Sequence, residues 1–518
     1  MKLNKDIFSY SEALHAKGYE LPEYDVEKIK ANTAKRPEWI HFGAGNIFRA
    51  FIADIYQQLL NAGLSDTGII AAEGFDYDII DTVYRPFDNL SLLAVLNCDG
   101  TTNKKIIASV TESLKADKAQ VSDWKRLCEI FSAPSLKAAS FTITEKGYAP
   151  ALAKDKNSML YKLTELCLVR FKAGAFPIAL VSMDNCSRNG DKLKAAVLSC
   201  AHEMNADEAF TAYLSDENKV SFPCSMIDKI TPRPDNAVKN QLEADGFEDM
   251  DTIITDKNTY TAAFVNAEKP QYLVIEDKFP ASRPPLERAG VIFTDGATVD
   301  KAEKMKVCTC LNPLHTSLAI FGCLLGYTSI SEEMKDGELA ELVRRIGYDE
   351  GLPVVVNPEI INPRAFIDEV IENRLVNPFI PDTPQRIACD TSQKLPIRFG
   401  QTIKEYMKSG NTSKLKFIPL VIAGWCRYLT AVDDMGNAFI PSPDPMLSQL
   451  LPIFENVKPG DKINVHELLQ PVLSNAEIFA VDLYEAKLAA LVEEYFAQMI
   501  SSVGAVRATL KAVLSSAL

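Results

Sequence analysis

The sequence predicts a two-part α/β protein, with a doubly wound parallel sheet in an N-terminal domain and a mostly α-helical C-terminal domain. Three observations carry this. A short apolar run, Trp39-Ile40-His41-Phe42, passes through Gly43-Ala44-Gly45 into a helical pattern, and then into a second apolar run ending at Glu73. Two later strand-like runs end in polar clusters, Glu145-Lys146-Gly147-Tyr148 and Asp184-Asn185. Beyond the proline-rich break PASRPP at 280–285 the apolar spacing becomes helical almost throughout. A chain of 518 residues is too long for one core. The break divides it into expected domains at 1–284 and 285–518.

The first 35 residues are polar and are expected to wrap the surface. Strand 39–42, the glycine turn, the helical pattern AFIADIYQQLLNAG and the strand ending at Glu73 form the opening of a Rossmann-like dinucleotide-binding unit, with NAD as the expected cofactor. Gly43 permits the tight turn and Gly45 lets backbone approach a pyrophosphate. The helix that starts at Asn46 and Ile47 points its N–H groups at that charge. The usual third glycine is replaced by Phe48, which should push the helix slightly off the strand. Arg49 is then a candidate phosphate contact. Glu73 is the candidate ligand of the adenosine ribose, with Asp76 as its competitor. A carboxylate there disfavours the extra phosphate of NADP.

Further along, LSLLAVLN and KKIIASV flank Cys98-Asp99-Gly100 and predict a hairpin inserted in this domain. The strands at 138–144 and 177–182 follow. Ligands of an open parallel sheet sit beyond the carboxyl ends of its strands, which points to Glu145 and Asn185. Asp228 stands among apolar neighbours before a proline-rich loop, and 272–275 is another short strand. In the C-terminal part, amphipathic stretches are expected at 331–348, 402–408, 413–431 and 473–516. A loop and short helix over 381–398 carry Arg386 and Lys394.

The segment 303–327 concentrates the chemistry. Lys306, Asn312 and His315 precede a run, 318–325, with almost nothing polar. Asn312 and His315, three apart, share a helix face. A lysine against apolar wall loses hydration, which favours its neutral form and suits a general base. Read alone, the same pattern also describes a core helix with a surface lysine and a capping asparagine.

Composition narrows the partners. A net charge of −14 argues against nucleic acid. The eleven cysteines lack regular spacing, the N-terminus lacks the apolar core of a signal peptide, and a cytoplasmic protein with reduced thiols is expected. Cys308-Thr309-Cys310 has no second pair to complete a metal set, so no metal is expected. No membrane span is expected either. Oligomeric state is left open.

Seven short motifs, in order, carry a resemblance. They are GAGNIFRAF at 43–51, TITEKGY at 142–148, SMDN at 182–185, MIDKITP at 226–232, VIEDKF at 274–279, LNPLH at 311–315 and RIACDTSQKLPIR at 386–398. Together they resemble the long-chain polyol dehydrogenases, the family of mannitol 2-dehydrogenase and the hexuronate reductases. The resemblance implies a metal-independent, NAD-linked oxidoreductase acting on a sugar acid or polyol, with its site in a cleft between the domains. It implies Lys306 as acid/base, Asn185 and Asn312 on the reacting oxygen, and His315 positioning substrate. Asp228, Arg386 and Lys394 are implied as substrate contacts, and Glu145 as an aid to proton exchange. The whole sequence looks more like the hexuronate branch than the mannitol branch, although the cationic residues are common to both. Two departures stand out: one residue more than usual between Lys306 and Asn312, and Phe51 where many members carry histidine. A non-catalytic NAD-binding sensor is the rival reading.

Overall fold

The computed structural model describes residues 1–516. It divides into two compact units, Met1–Asp300 and Lys301–Leu518. The proline-rich break at 280–285 lies inside the first unit, because the strand that follows it is hydrogen-bonded back into that unit's sheet.

The first unit carries fifteen strands among its described residues. They are β1 (Tyr19–Glu20), β2 (Trp39–Phe42), β3 (Ile69–Glu73), β4 (Ser91–Leu96), β5 (Thr102–Ile107), β6 (Val110–Lys115), β7 (Ala138–Phe141), β8 (Ile178–Ser182), β9 (Val220–Ser221), β10 (Ser225–Asp228), β11 (Ile253–Ile254), β12 (Tyr260–Thr261), β13 (Phe264–Glu268), β14 (Tyr272–Glu276) and β15 (Ile292–Thr294). Six form an all-parallel sheet in the order β6-β3-β2-β7-β8-β9. Strand order reverses between β2 and β7, which makes that crevice the topological switch point where such sheets bind ligands.

Both faces of the sheet are buried. Trp39, Ile69, Ala71 and Val181 enter one apolar core, while Ile40, Phe42, Ile70 and Leu180 enter the other. Alternate residues of one strand point to opposite faces, so a sheet covered on both sides needs continuous apolar runs. That is why these strands were visible in the sequence. The expected hairpin forms between β4 and β5, with Leu96 opposite Thr102. It is not isolated, since β1 and β13 extend it to four strands. The run KKIIASV is also divided, because Val110 already belongs to β6.

The second unit is helical. Its central pair is α4 (Asn312–Leu325) and α7 (Phe417–Tyr428); between them in the chain come α5 (Pro384–Ile387) and α6 (Thr391–Arg398). Earlier in the chain are α1 (Ala53–Asn61), α2 (Asn189–Glu203) and α3 (Gly296–Met305). All of α7 is buried, and Gly424 lets Phe321 of α4 approach to 3.2 Å from where a Cβ would stand. Buried Glu350 closes the start of α7 by accepting from the N–H groups of Lys416, Phe417 and Ile418. The expected stretch at 473–516 is broken into helices 476–479, 489–499 and 505–516. Asn475 caps one start, and Gly504 at φ +79 precedes another.

The run Gly296–Leu325, counted as one helix, is long and apolar enough to cross a membrane, which the sequence reading had not credited to any segment. Of its apolar window, 78% is buried inside the protein, as in a core helix.

Candidate functional site

In the first unit the glycine turn lies at the switch point. Gly43 has φ +103, and a Cβ there would stand 2.2 Å from the carbonyl oxygen of Thr142, so only glycine fits. At Gly45 no protein atom comes within 4 Å of a built Cβ, so that backbone is open to close approach. Asn46 and Ile47 begin the helix and Phe48 follows in a π-helical turn, Phe48–Ile52, that leads into α1. The Phe48 ring stacks on His41 of β2, with centroids 4.4 Å apart. The missing third glycine is therefore accommodated by widening the first turn until an aromatic ring fits between helix and strand.

Arg49 corrects one expectation. Its guanidinium is buried and donates to Ser91 Oγ at 3.0 Å, Thr261 Oγ1 at 3.4 Å and the Ala263 carbonyl at 3.0 Å. It ties the helix start to β4, β12 and the start of β13 and does not present its charge to the open loop. Asn46 reaches toward β12, donating to the Tyr260 carbonyl at 3.3 Å.

Glu73, at the end of β3, is also buried. It accepts four backbone N–H groups, from Ala44, Gly74, Phe75 and Asp76, at 2.8 to 3.2 Å. It thereby links the glycine turn to the loop after β3. Burial raises its pKa, opposed by those four hydrogen bonds. Asp76 accepts from Thr255 Oγ1 at 2.6 Å through Oδ2, while its buried Oδ1 has no hydrogen-bond partner. The Phe75 ring between the two acids is 69% exposed. The tight glycine turn, open Gly45, a helix start and the unpartnered carboxylate oxygen of Asp76 fit the pyrophosphate and ribose of a dinucleotide. With its carboxylate taken by four N–H groups, Glu73 serves as a brace between the loops.

At the far ends of β7 and β8, buried Asp184 organises two loops. It accepts from the N–H of Thr144 at 2.7 Å and of Ile143 at 3.2 Å, and from the Tyr148 hydroxyl. These bonds hold Thr144 at φ +66, a strained conformation for a β-branched residue. Asn185 follows Asp184 and is exposed. Glu145 is exposed as well and pairs with Lys192 at 2.6 Å. Asp228 ends β10 and is 7% exposed. The sequence marks Asp184-Asn185 as one polar cluster but gives a role to Asn185 alone; the loop-organising part falls to Asp184.

In the second unit, Lys306 is 2% exposed and opens a π-helical turn, Lys306–Cys310. The N–H of Leu311 donates to the Lys306 carbonyl at 3.0 Å, an i→i+5 bond. Such a turn takes in one residue more than an α-turn, and so absorbs the additional residue between Lys306 and Asn312. The helix restarts at Asn312 with Pro313 in its first turn, as expected. Glu303, not singled out in the sequence, lies three residues before Lys306 on the same helical run, a spacing that puts the two side chains on one face. Lys304 is exposed.

His315 Nε2 lies 3.3 Å from Asp382 Oδ2. Burial, then the charges of Arg398, Arg374, Arg386 and Lys394, hold the His315 pKa down to about 3, so the imidazole is neutral at physiological pH. Arg386 pairs with Asp382. Lys394 donates to the Ile387 carbonyl at 3.0 Å and to that of Cys389; burial, then Arg398, lowers its pKa. Arg398 donates to Thr316 Oγ1 at 2.6 Å. Arg374 and Arg398 thus join the cationic set that the sequence had limited to Lys306, Arg386 and Lys394. Among the described residues no group of three His, Cys, Asp or Glu side chains could hold a metal ion.

Comparison with known proteins bears on the family and the fold. Residues 37–288 match the model of the mannitol dehydrogenase Rossmann domain, and residues 298–500 match that of the mannitol dehydrogenase C-terminal domain. The chain is 50% identical to the D-mannonate oxidoreductase of Thermotoga maritima, covering 99% of both chains. It is 29% identical to the D-mannonate oxidoreductase of Escherichia coli, over 86% of this chain and 92% of that one. Among solved structures it is similar to Pseudomonas fluorescens mannitol 2-dehydrogenase in a ternary complex with NAD and D-mannitol. The TM-score is 0.70 at 25% identity, covering 99% of this chain and 100% of that one.

Proposed function

The chain belongs to the mannitol dehydrogenase family, and from that premise we propose that it is an NAD(H)-dependent oxidoreductase interconverting D-mannonate and D-fructuronate. The observation that carries the reading is the 50% identity, over 99% of both chains, to a D-mannonate oxidoreductase. The cation set around His315 supports an anionic sugar, although neutral-polyol members share residues of it.

The nicotinamide cofactor, when bound, supplies or accepts the hydride. Gly43, Gly45 and the N–H groups at Asn46 and Ile47 would hold its pyrophosphate, and Asp76, with one carboxylate oxygen unpartnered, would meet its ribose while Glu73 fixes the two loops. In the reducing direction Lys306 gives the proton that turns the keto oxygen into a hydroxyl; in the oxidising direction it takes that proton back. Asn185 and Asn312 donate to the same oxygen, where each well-placed donor is worth about 3 kcal/mol as charge develops. Glu303, one turn from Lys306, is the carboxylate best placed along the helix to exchange the lysine's proton with solvent. Glu145, held by Lys192, is the alternative that the resemblance supports. His315, Asp228, Arg386 and Lys394 bind the remaining sugar oxygens and the carboxylate.

The test follows NADH absorbance with D-fructuronate, D-tagaturonate and D-fructose. Fastest turnover of D-fructuronate is expected. Turnover of D-fructose alone would reassign the protein to the mannitol branch. Binding of NADH with no oxidation by any of the three would favour a sensor.

A further inference from the structure

The carboxylate of Asp382 touches two side chains assigned to substrate and is given no role by the reaction itself. Its Oδ1 takes the Arg386 guanidinium, and its Oδ2 lies 3.3 Å from His315 Nε2. The residue is 7% exposed and its backbone is fixed, with Ile330 N–H donating to its carbonyl at 3.0 Å. The cavity bounded by His315, Arg374, Asn377 and Asp382 measures only about 10 Å³, at most the room for one water. Asp382 already stands against Nε2, which leaves Nδ1 as the ring nitrogen open to a sugar oxygen.

We propose that Asp382 is a positioning residue that holds His315 as the Nε2–H tautomer, so that Nδ1 meets the sugar as a bare hydrogen-bond acceptor. The inference rests on the reading above for the role of His315. A neutral imidazole carries a single N–H, and an ionised carboxylate can only accept, so the 3.3 Å approach of Asp382 favours the proton on Nε2. The charged groups around the ring are Arg374, Arg386, Lys394 and Arg398, with Asp382 opposing them. The cations oppose a second proton and keep the ring neutral. Nδ1 then selects a hydroxyl over a carbonyl or carboxylate at that point of the sugar, because only a hydroxyl can donate to it. The same carboxylate fixes Arg386, so one buried acid sets the aim of two contacts.

Asp382→Asn separates the two tasks. Its amide oxygen can still serve Arg386, while its NH₂ group faces the ring and forces the Nδ1–H tautomer. In ¹⁵N-histidine-labelled full-length protein with NADH at pH 7, His315, assigned through its loss in His315→Gln, is expected as neutral Nε2–H. In Asp382→Asn it is expected as Nδ1–H. kcat/KM for the sugar acid should fall about 10- to 100-fold, the range for a mispaired buried hydrogen-bonding group, mainly through KM, with the NADH Kd and Tm unchanged. In a His315→Gln background, Asp382→Asn should change kcat/KM less than twofold. An Nδ1–H tautomer or an imidazolium in the wild type overturns the proposal, as does an undiminished loss in that background. If Asp382→Asn does not fold, the wild-type spectrum alone decides. A wild type that shows Nε2–H yet turns over no hexuronate refutes the substrate reading and leaves the Asp382–His315 arrangement standing.

Discussion

Lys306 and Lys304 are two residues apart on one helical run, yet the first is 2% exposed and the second stands in solvent. Burial therefore favours Lys306 over Lys304 for the proposed proton-transfer role. Lys306→Ala should lower kcat by about 10²- to 10⁴-fold, the usual contribution of general acid–base catalysis, while NADH affinity stays put and Lys304→Ala behaves as wild type. Glu303→Gln should lower kcat by a smaller factor. Near-normal turnover by Lys306→Ala would move the role elsewhere. The cofactor corner gives a second prediction. Four backbone N–H groups occupy the Glu73 carboxylate, so Glu73→Ser should lower Tm by unpairing them. Asp76, with one oxygen unpartnered, is the acid whose charge would repel a 2′-phosphate. The wild type should prefer NADH, and Asp76→Ser should raise kcat/KM for NADPH relative to NADH. An unchanged ratio would leave discrimination with Glu73.

Among the elements, the π-turn Lys306–Cys310 decides how Lys306 is presented. Deleting Val307 would return it to α-helical spacing and rotate whatever precedes it by about 100° relative to α4, with a shift of about 1.5 Å. Loss of at least about 100-fold in kcat is expected, because small misplacements of a reacting group cost that much, with the helical circular dichroism spectrum retained. Retained activity would show that the lysine's aim does not depend on the turn. A different element gives the pH prediction. Glu333 closes the short helix Ile330–Glu333, is fully buried with neither carboxyl oxygen hydrogen-bonded, and packs against Gly322 of α4. Burial, then Asp336, raises its pKa from 4.5 to about 9. The native state thus keeps a proton that the unfolded chain releases above pH 4.5. The Glu333 contribution to stability is greatest below that pH and is lost as pH rises toward 9. Glu333→Gln is nearly isosteric, so its Tm should fall less between pH 6 and 9 than that of the wild type. Parallel Tm curves would mean that Glu333 is ionised in the folded protein.

For the molecule as a whole, a donor set too sparse for a metal among the described residues predicts that turnover survives exhaustive chelation. Activity lost to EDTA and restored by a divalent ion would contradict the mechanism. The large-scale plan was legible because its causes are local. The buried strands β2, β3, β7 and β8 are short continuous apolar runs, Gly43 and Gly45 punctuate the first turn, and apolar spacing after residue 296 follows a helical period.

What the sequence determined by itself is the principal strands of the parallel sheet, the helical character of the second part and the identity of the chemical groups, since apolar period, glycine placement and residue type are properties of short segments. What only the tertiary structure decided is where each charge is directed. Arg49 is as cationic in the sequence as any phosphate ligand, but β12 and the start of β13 fold across it and take its guanidinium. Glu73 reads as a ribose ligand until the loop after β3 turns four N–H groups onto it. Asp382 is one more acid in a polar loop until folding sets it 3.3 Å behind His315. Hydrogen bonds act only over about 3 Å, so their partners come from whichever segments packing brings together, however far apart these lie in the chain.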